Sequence, residues 1–522
     1  MPNDFSSLNC LFKETLYKFG TKTAIVFENK RTSYKELIEG ANKVAHALNR
    51  NNIKPNTRVA LMMSNSLEYI FSDLGVIQAG ATKVPLNEML SEKELEYILN
   101  DSKAEVIIVG ESFFKKLEAI KENLRYVNLI IAVPQNQDCP NGCLSWDEFQ
   151  SAEPVTSLNI DVKGSDMAVI VYTGGTTGMP KGVVHDHHNI IKNLYTHIIE
   201  LEILGDDKIL LTSPLPHAAG FVMLTGLLKG AEVWIESGFN PQLVLDRIHN
   251  DRITFTFMVP TMVYRVMDQI KGNQYDFTSL RTILYGAAPI TVERLKEGLK
   301  IFGLVFTQLY GQTEAPNFVT RLRKEDHSIN PRYQHRLQSC GQAVLGSLFK
   351  VVDESGIEVP CGVEGEIVAH TPYNMKEYFG KPEATNETVK DGWIYTGDIG
   401  KVDEEGYLYL LDRKKDMIIS GGMNVYSVEV ESLIQTHPGV QLNSVIGVPH
   451  PDWGESVLAV IVASKENPPT EESIIKHCQQ LSKYKRPKEI KFVDNIPLTP
   501  YGKIDKKALK KQFRTLENQS VH

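Results

Sequence analysis

The sequence predicts an α/β protein with largely parallel sheets and a smaller antiparallel β region downstream. Strand-like runs at residues 58–63, 82–86 and 104–109 alternate with helical patterns such as 68–79, which is the signature of βαβ units. From Lys350 the pattern changes to short strands split by turns, at Asp353-Glu354-Ser355-Gly356, Gly362-Val363-Glu364-Gly365 and Asp403-Glu404-Glu405-Gly406. A length of 522 residues is more than one domain usually holds.

Taken in order, Ser33 caps a helix whose apolar residues recur at helical spacing. Residues 167–172 read as a short buried strand, 183–185 as its continuation after a loop, and a helix starts at Asn189. Residues 209–211, 253–260 and 284–289 are further strands, the second followed by a helix from Thr261. Residues 442–448 and 457–463 are strands, and Thr470 opens a helix with an acidic first turn that suits its dipole. At 42% apolar and 23% charged residues the composition is ordinary for a globular chain, and a net charge of -8 argues against a nucleic-acid binder. Six cysteines are scattered; Cys139 and Cys143 are close, but with no histidine or second pair nearby a zinc site or disulfide is disfavoured. The N-terminus has no signal-peptide pattern, and no run of about eighteen apolar residues suggests a membrane span. The expected setting is a reducing one, the cytoplasm.

Chemistry enters at Tyr172-Thr173-Gly174-Gly175-Thr176-Thr177-Gly178-Met179-Pro180-Lys181-Gly182. Glycines let a backbone approach a ligand closely, successive N–H groups form an anion nest, and threonine hydroxyls and Lys181 add donors for phosphate. The frame is neither the Walker loop nor the dinucleotide fingerprint. Downstream, Gly286, Ala287 and Ala288 end a strand in small residues that let a flat ring lie against the backbone. In Tyr310-Gly311-Gln312-Thr313-Glu314, Tyr310 offers a stacking face, Thr313 a hydroxyl, and Glu314 a hard oxygen for Mg²⁺. Asp398 follows a strand and suits the two hydroxyls of a ribose. His217, among small and apolar neighbours, is either a packed core residue or a ligand contact. The basic run 483–488 is either a solvated turn or a dock for an anionic partner, and Lys503 stands alone on a late turn, unlike a solvated charge cluster.

In this order, and over nearly the whole chain, the motifs resemble those of the adenylate-forming superfamily of acyl-CoA synthetases, aryl-CoA ligases and luciferases. The resemblance rests on residues 172–182, 310–314, 395–398, Arg413, 420–424 and 500–503. It implies ATP, Mg²⁺ and coenzyme A, and two half-reactions: a carboxylate displaces pyrophosphate from ATP, and a thiol then displaces AMP from the acyl-adenylate. It implies a large N-terminal domain of βαβ sheets with a small β-barrel-like part, residues 1–414. A small mobile α+β domain, residues 415–522, would turn on a hinge at Lys415. By residue, Thr173, Gly174, Gly175, Thr176, Thr177, Gly178 and Lys181 would hold phosphates. Gly286, Ala287, Ala288 and Tyr310 would line the adenine, with Gly311 and Gln312 beside them. Asp398 would bind the ribose, assisted by Arg413. The catalytic set would be Lys503, Thr313, Glu314 and His217, with Glu314 on the metal. Rotation would withdraw Lys503 and bring Gly421, Gly422 and Met423 to the thiol tunnel. One departure is Gly174, where many relatives carry serine.

Relatives acting on the smallest acids carry tryptophan where this chain has Gly311, so the resemblance implies a pocket open to longer acids. Residues 216–223 lack the aspartate of amino-acid-activating relatives, which favours an uncharged acid. His217, Phe221, Val259 and Gly311 would form its pocket. A medium- or long-chain fatty acid is the first expectation and an aryl or arylalkenoic acid the next. With no obvious inserted segment, although 317–338 is somewhat long, coenzyme A is the expected acceptor. A homodimer is compatible with this reading, and so is the contrasting one of a catalytically inactive nucleotide-binding paralogue.

Overall fold

The computed structural model describes residues 7–173, 179–270, 272, 274–288, 290–465, 467–498 and 504–517, with the side chains of 514–517 excepted. Two large sheets dominate the first part of the chain. In the eight-stranded sheet, Thr82–Pro85, Arg58–Met62, Val106–Gly110, Leu129–Val133 and Leu144–Ser145 run parallel, and Met167–Thr173, Lys181–Asp186 and Glu377–Tyr378 close one end. In the nine-stranded sheet, Glu232–Ile235, Lys208–Leu211, Phe255–Met258, Thr282–Gly286 and Phe306–Gln312 are parallel, and Ala315–Leu322 turns back antiparallel near one end. Each sheet therefore terminates on an antiparallel hairpin, and these two hairpins bracket residues 174–178 and Glu314 in the chain.

The parallel strands read as continuous apolar runs because helices cover both their faces. Helices Tyr34–Arg50, Leu67–Gln78, His187–Leu201 and Gly220–Lys229 share one buried core with both sheets. The first begins at a capping box, in which Ser33 Oγ accepts from the Glu36 N–H and the Glu36 carboxylate accepts from the Ser33 N–H at 2.7 Å. The downstream β region is a five-stranded antiparallel sheet of Leu348–Val352, Gly365–His370, Val389–Lys390, Trp393–Val402 and Leu408–Arg413. The last sheet, Ile418–Ser420, Met423–Val425, Val440–His450, Gly454–Ala463 and Glu489–Phe492, has its own cores on both faces, one with helices Ser427–Gln435 and Glu471–His477 and one with Lys506–Glu517. The fold is thus mixed α/β, large sheets first and a smaller C-terminal unit after. Among the described residues no helix is long and apolar enough to cross a membrane, and all six cysteines are thiols.

Candidate active site

Thr173 stands directly opposite Lys181 across the first hairpin. Gly174, Gly175, Thr176, Thr177 and Gly178, expected to cradle phosphates, lie outside the described residues. The mouth of that loop is built from a residue the motifs did not reveal. The Lys181 ammonium lies 4.6 Å from the centroid of the Tyr378 ring, and the Tyr378 hydroxyl donates to Glu314 Oε1 at 2.6 Å. Tyr378 arrives there because Glu377–Tyr378 pairs with the second strand of the hairpin, opposite Val183. Burial, and then the neighbouring Glu314 charge, push its phenol far above the usual range, so it remains a donor. Glu314 is itself buried. One of its oxygens accepts from a phenol, no hydrogen bond to the other comes from the described residues, and an ammonium suited to phosphate lies on the same phenol ring. That donor set fits Mg²⁺ bound with a nucleotide.

The backbone before Glu314 is held by the opposite hairpin. His185 Nε2 lies 2.8 Å from the Thr313 carbonyl oxygen. A carbonyl only accepts, so Nε2 carries the proton, and burial lowers the ring to a pKa of about 4 and keeps it neutral. This bond, together with Met375 N–H on the Glu314 carbonyl at 2.7 Å, joins the two large sheets at the site.

On the ribose side, Tyr310 donates to Asp398 Oδ2 at 2.8 Å and Arg413 Nε lies 3.2 Å from Asp398 Oδ1. Asp398 and Arg413 face each other across Trp393–Val402 and Leu408–Arg413. A carboxylate offers about four acceptor positions, so each oxygen keeps one for a ligand hydroxyl. The sequence reading ended the strand before Asp398; the strand runs on to Val402 because residues 398–402 pair with 408–413. Gly286 ends its strand, and Ala287, at a φ of 65°, leaves a small exposed step before Ala288. Gln312 Nε2 is buried with no hydrogen-bond partner among the described residues.

His217 sits in a π-helical turn, Leu215–Ala219, with extended backbone (φ -118°, ψ -150°). Its Nε2 lies 2.8 Å from Asn87 Nδ2. Asn87 Oδ1 already accepts from the Met89 N–H, so the amide nitrogen faces the ring and Nε2 accepts. Phe221 follows one turn later, and Val259 precedes the helix Pro260–Gln269 as its cap. Gly311 is closely backed by neighbouring backbone. A Cβ built there meets the Asn317 backbone carbon at 2.7 Å and the Ala315 and Asn317 carbonyl oxygens at 2.8 Å. The space a side chain would take is filled by the returning strand.

Lys415 follows Arg413 in a turn where the Asp416 and Met417 N–H groups donate to the Arg413 carbonyl at 2.8 and 3.0 Å. A cleft of about 270 Å³ lies beside it, lined by Thr396, Gly397, Arg413, Lys414 and Lys415. Gly421 and Gly422, with φ of 58° and 78°, form the two-residue turn between Ile418–Ser420 and Met423–Val425. The Gly421 N–H donates to the Trp453 carbonyl at 2.9 Å, and Met423 is half-exposed. Lys503 lies outside the described residues.

Compared with known proteins, the chain matches the AMP-binding enzyme family over residues 12–379 and the AMP-binding enzyme C-terminal domain over residues 429–503. The chain belongs to the AMP-binding enzyme family. It is 35% identical over 497 residues to a feruloyl-CoA synthase of Amycolatopsis sp, covering 94% of this chain and 96% of that one. It is 33% identical to the long-chain-fatty-acid–CoA ligase FadD13 of Mycobacterium tuberculosis, covering 92% and 93% of the two chains. ATP-bound MatB from Rhodopseudomonas palustris superposes with a TM-score of 0.87 at 30% identity, covering 97% of this chain and 99% of that one. This AMP-binding enzyme is an AMP-forming acid–thiol ligase.

In this member of the family, Tyr378, His185 and Asn87 are the site residues that sequence reasoning missed. Tyr378 carries no local signal, since its partners are far away in sequence. A histidine inside the apolar run Val183-Val184-His185 was a signal, because a buried imidazole needs a partner.

Proposed function

We propose that the protein joins an uncharged aryl or arylalkenoic acid to coenzyme A through an acyl-adenylate. The carrying observation is the Lys181–Tyr378–Glu314 cluster, which sets a phosphate-type cation and a metal-type carboxylate on one ring, with Glu314 four residues along the chain from Tyr310, whose hydroxyl holds the Asp398 carboxylate. Lys181, Thr173 and the loop they bracket would hold the β- and γ-phosphates, Asp398 the ribose, and Glu314 the ion. Mg²⁺, when bound, would neutralise charge building on the phosphate oxygens. Lys503, brought in by the unit beyond the Lys415 hinge, would offset the charge where carboxylate oxygen meets α-phosphorus. The bond from that phosphorus to the bridging oxygen breaks and pyrophosphate leaves. In the second step the thiol sulfur bonds to the acyl carbon, and AMP leaves with the electron pair of the broken carbon–oxygen bond.

The full-length likeness to a feruloyl-CoA synthase moves an aryl acid ahead of the fatty acid first expected. The fatty-acid reading stays second, supported by the likeness to FadD13. Coenzyme A as acceptor is supported by an exposed indole near the glycine turn. Trp453 stacks on His450 at 4.2 Å, and the Lys488 ammonium lies 5.2 Å from its ring, an arrangement suited to an adenine and phosphates.

The test is pyrophosphate release across aryl and alkyl acids, with and without coenzyme A; no release with any acid would leave the inactive paralogue. Lys503→Ala should slow adenylation at least a hundredfold, on the order of 3 kcal/mol, and spare thioester formation from supplied acyl-adenylate. Equal loss in both steps would refute the assigned role.

A further inference from the structure

Behind Phe221 lies a polar pair that a wholly apolar acid would leave idle. His197, on the helix His187–Leu201, is completely buried. Its ring stacks on Phe221 at 5.8 Å and 11° and meets Phe318 edge-on at 4.8 Å and 76°. His197 Nδ1 lies 2.8 Å from the Asn193 carbonyl oxygen. A carbonyl only accepts, so Nδ1 carries the proton, and burial keeps the ring neutral with a pKa of about 4. Nε2 is therefore a lone pair. It lies 2.9 Å from the Asn317 amide nitrogen, which must be the donor.

That chain of assignments fixes the Asn317 amide, nitrogen toward His197 and Oδ1 away from it. Asn317 stands three residues after Glu314 on the returning strand Ala315–Leu322, with a φ of 63°, and is half-buried. No hydrogen to its Oδ1 comes from the described residues. An amide oxygen dehydrated by a ligand without gaining a donor is unfavourable, whereas a ligand hydroxyl would satisfy it.

We propose that Asn317 determines specificity, its Oδ1 accepting a hydrogen bond from a ring hydroxyl of an aromatic acid, and that His197 is the positioning residue that aims it. The enzyme then prefers phenolic acids to unsubstituted aryl or alkyl ones. This rests on the reading of the protein as an acid–coenzyme A ligase with Phe221 on the acyl wall.

The experiment measures AMP formation by the full-length enzyme with ATP, Mg²⁺ and coenzyme A on 3-phenylpropenoate, its 4-hydroxy and 3-hydroxy derivatives, and decanoate. The wild type should favour at least one hydroxylated acid over the unsubstituted one by about tenfold or more in kcat/KM, since a site built to bond a hydroxyl rejects the analogue lacking it. Asn317→Leu and His197→Phe should bring that ratio close to one by raising KM for the hydroxylated acid. His197→Gln, whose side-chain oxygen can accept from the Asn317 amide, should restore part of it. The ratio is taken within each variant, so a smaller folded fraction does not move it. Active wild type with a ratio near one for both hydroxylated acids, or an Asn317→Leu variant that keeps the preference, overturns this proposal alone. No AMP from any acid overturns the ligase reading and this proposal with it.

Discussion

Tyr378 shows how one side chain does two jobs. Its ring face receives Lys181 while its hydroxyl holds Glu314. Replacement by phenylalanine keeps the face and removes only the hydrogen bond to the carboxylate. A bond to a charged acceptor contributes about 1.5–3 kcal/mol, and without it Glu314 is free to leave the orientation a cation needs. Tyr378→Phe should therefore raise the Mg²⁺ concentration for half-maximal pyrophosphate release several-fold, with KM for the acid little changed. A magnesium titration checks this, and a curve superposing on the wild type would show that Glu314 is held by other means. Gly311 makes a complementary point at the same scale. The neighbouring strand passes so close that the glycine is fixed by backbone contact, so a bulky residue there would first displace the Ala315–Leu322 strand, and chain-length preference is not readable from it.

Helix and strand ends connect the five-stranded antiparallel sheet to the C-terminal unit. Asp412, in the strand Leu408–Arg413, accepts from the Ser427 N–H at 2.5 Å and the Ser427 hydroxyl at 2.6 Å. Its carboxylate thus caps the helix Ser427–Gln435 from across the 413–417 turn, where the helix dipole favours an anion. Lys506, paired with Glu431 at 2.8 Å, adds a cation beside it. Asp412→Asn should lower stability by about 1–2 kcal/mol and loosen the C-terminal unit. Urea unfolding and the rate of proteolysis around 413–417 measure the two effects, and unchanged cleavage would mean the cap does not restrain that turn. Caps of this kind mark what was legible. Ser33 and Thr470 announce their helices through neighbours three residues away, and the parallel strands announce themselves by composition. Tyr310, Glu314, Asp398 and Arg413 were found because their motifs are local. Tyr378 with Glu314, and His197 with Asn317, meet only through sheet pairing and helix packing, and no local periodicity encodes such meetings. The strand containing Asp398 was cut short because Thr396-Gly397 reads locally as a stop, whereas pairing with 408–413 carries the strand through it.

Over the whole molecule, buried histidines set the response to acid. His185, His187, His197 and His327 are all buried, and burial lowers each to a pKa of about 4 from an ordinary value near 6.5. Each ring also holds a hydrogen bond, His185 to the Thr313 carbonyl across the two large sheets, His187 from the Leu8 N–H, His197 to Asn193 and Asn317, and His327 to Tyr285 and the Arg323 carbonyl, so protonation strikes packed contacts at several places. In the unfolded chain these rings take up protons as pH falls through about 6.5, while the folded chain resists until about 4. Between those values the unfolded state binds more protons, so stability rises with pH across the window and is lost on acidification. Each ring contributes up to about 3 kcal/mol over the full window. Most carboxylates titrate lower, so the upper part of the window, from pH 7 to about 5, reports the histidines. The urea midpoint should hold steady above pH 7 and fall steeply from there to pH 5. His197→Phe removes one titrating ring and should make that fall shallower by the share of one proton, while still starting at the same pH. A midpoint that stays level to pH 5 would show that these rings reach protons in the native state and that their surroundings are open to water.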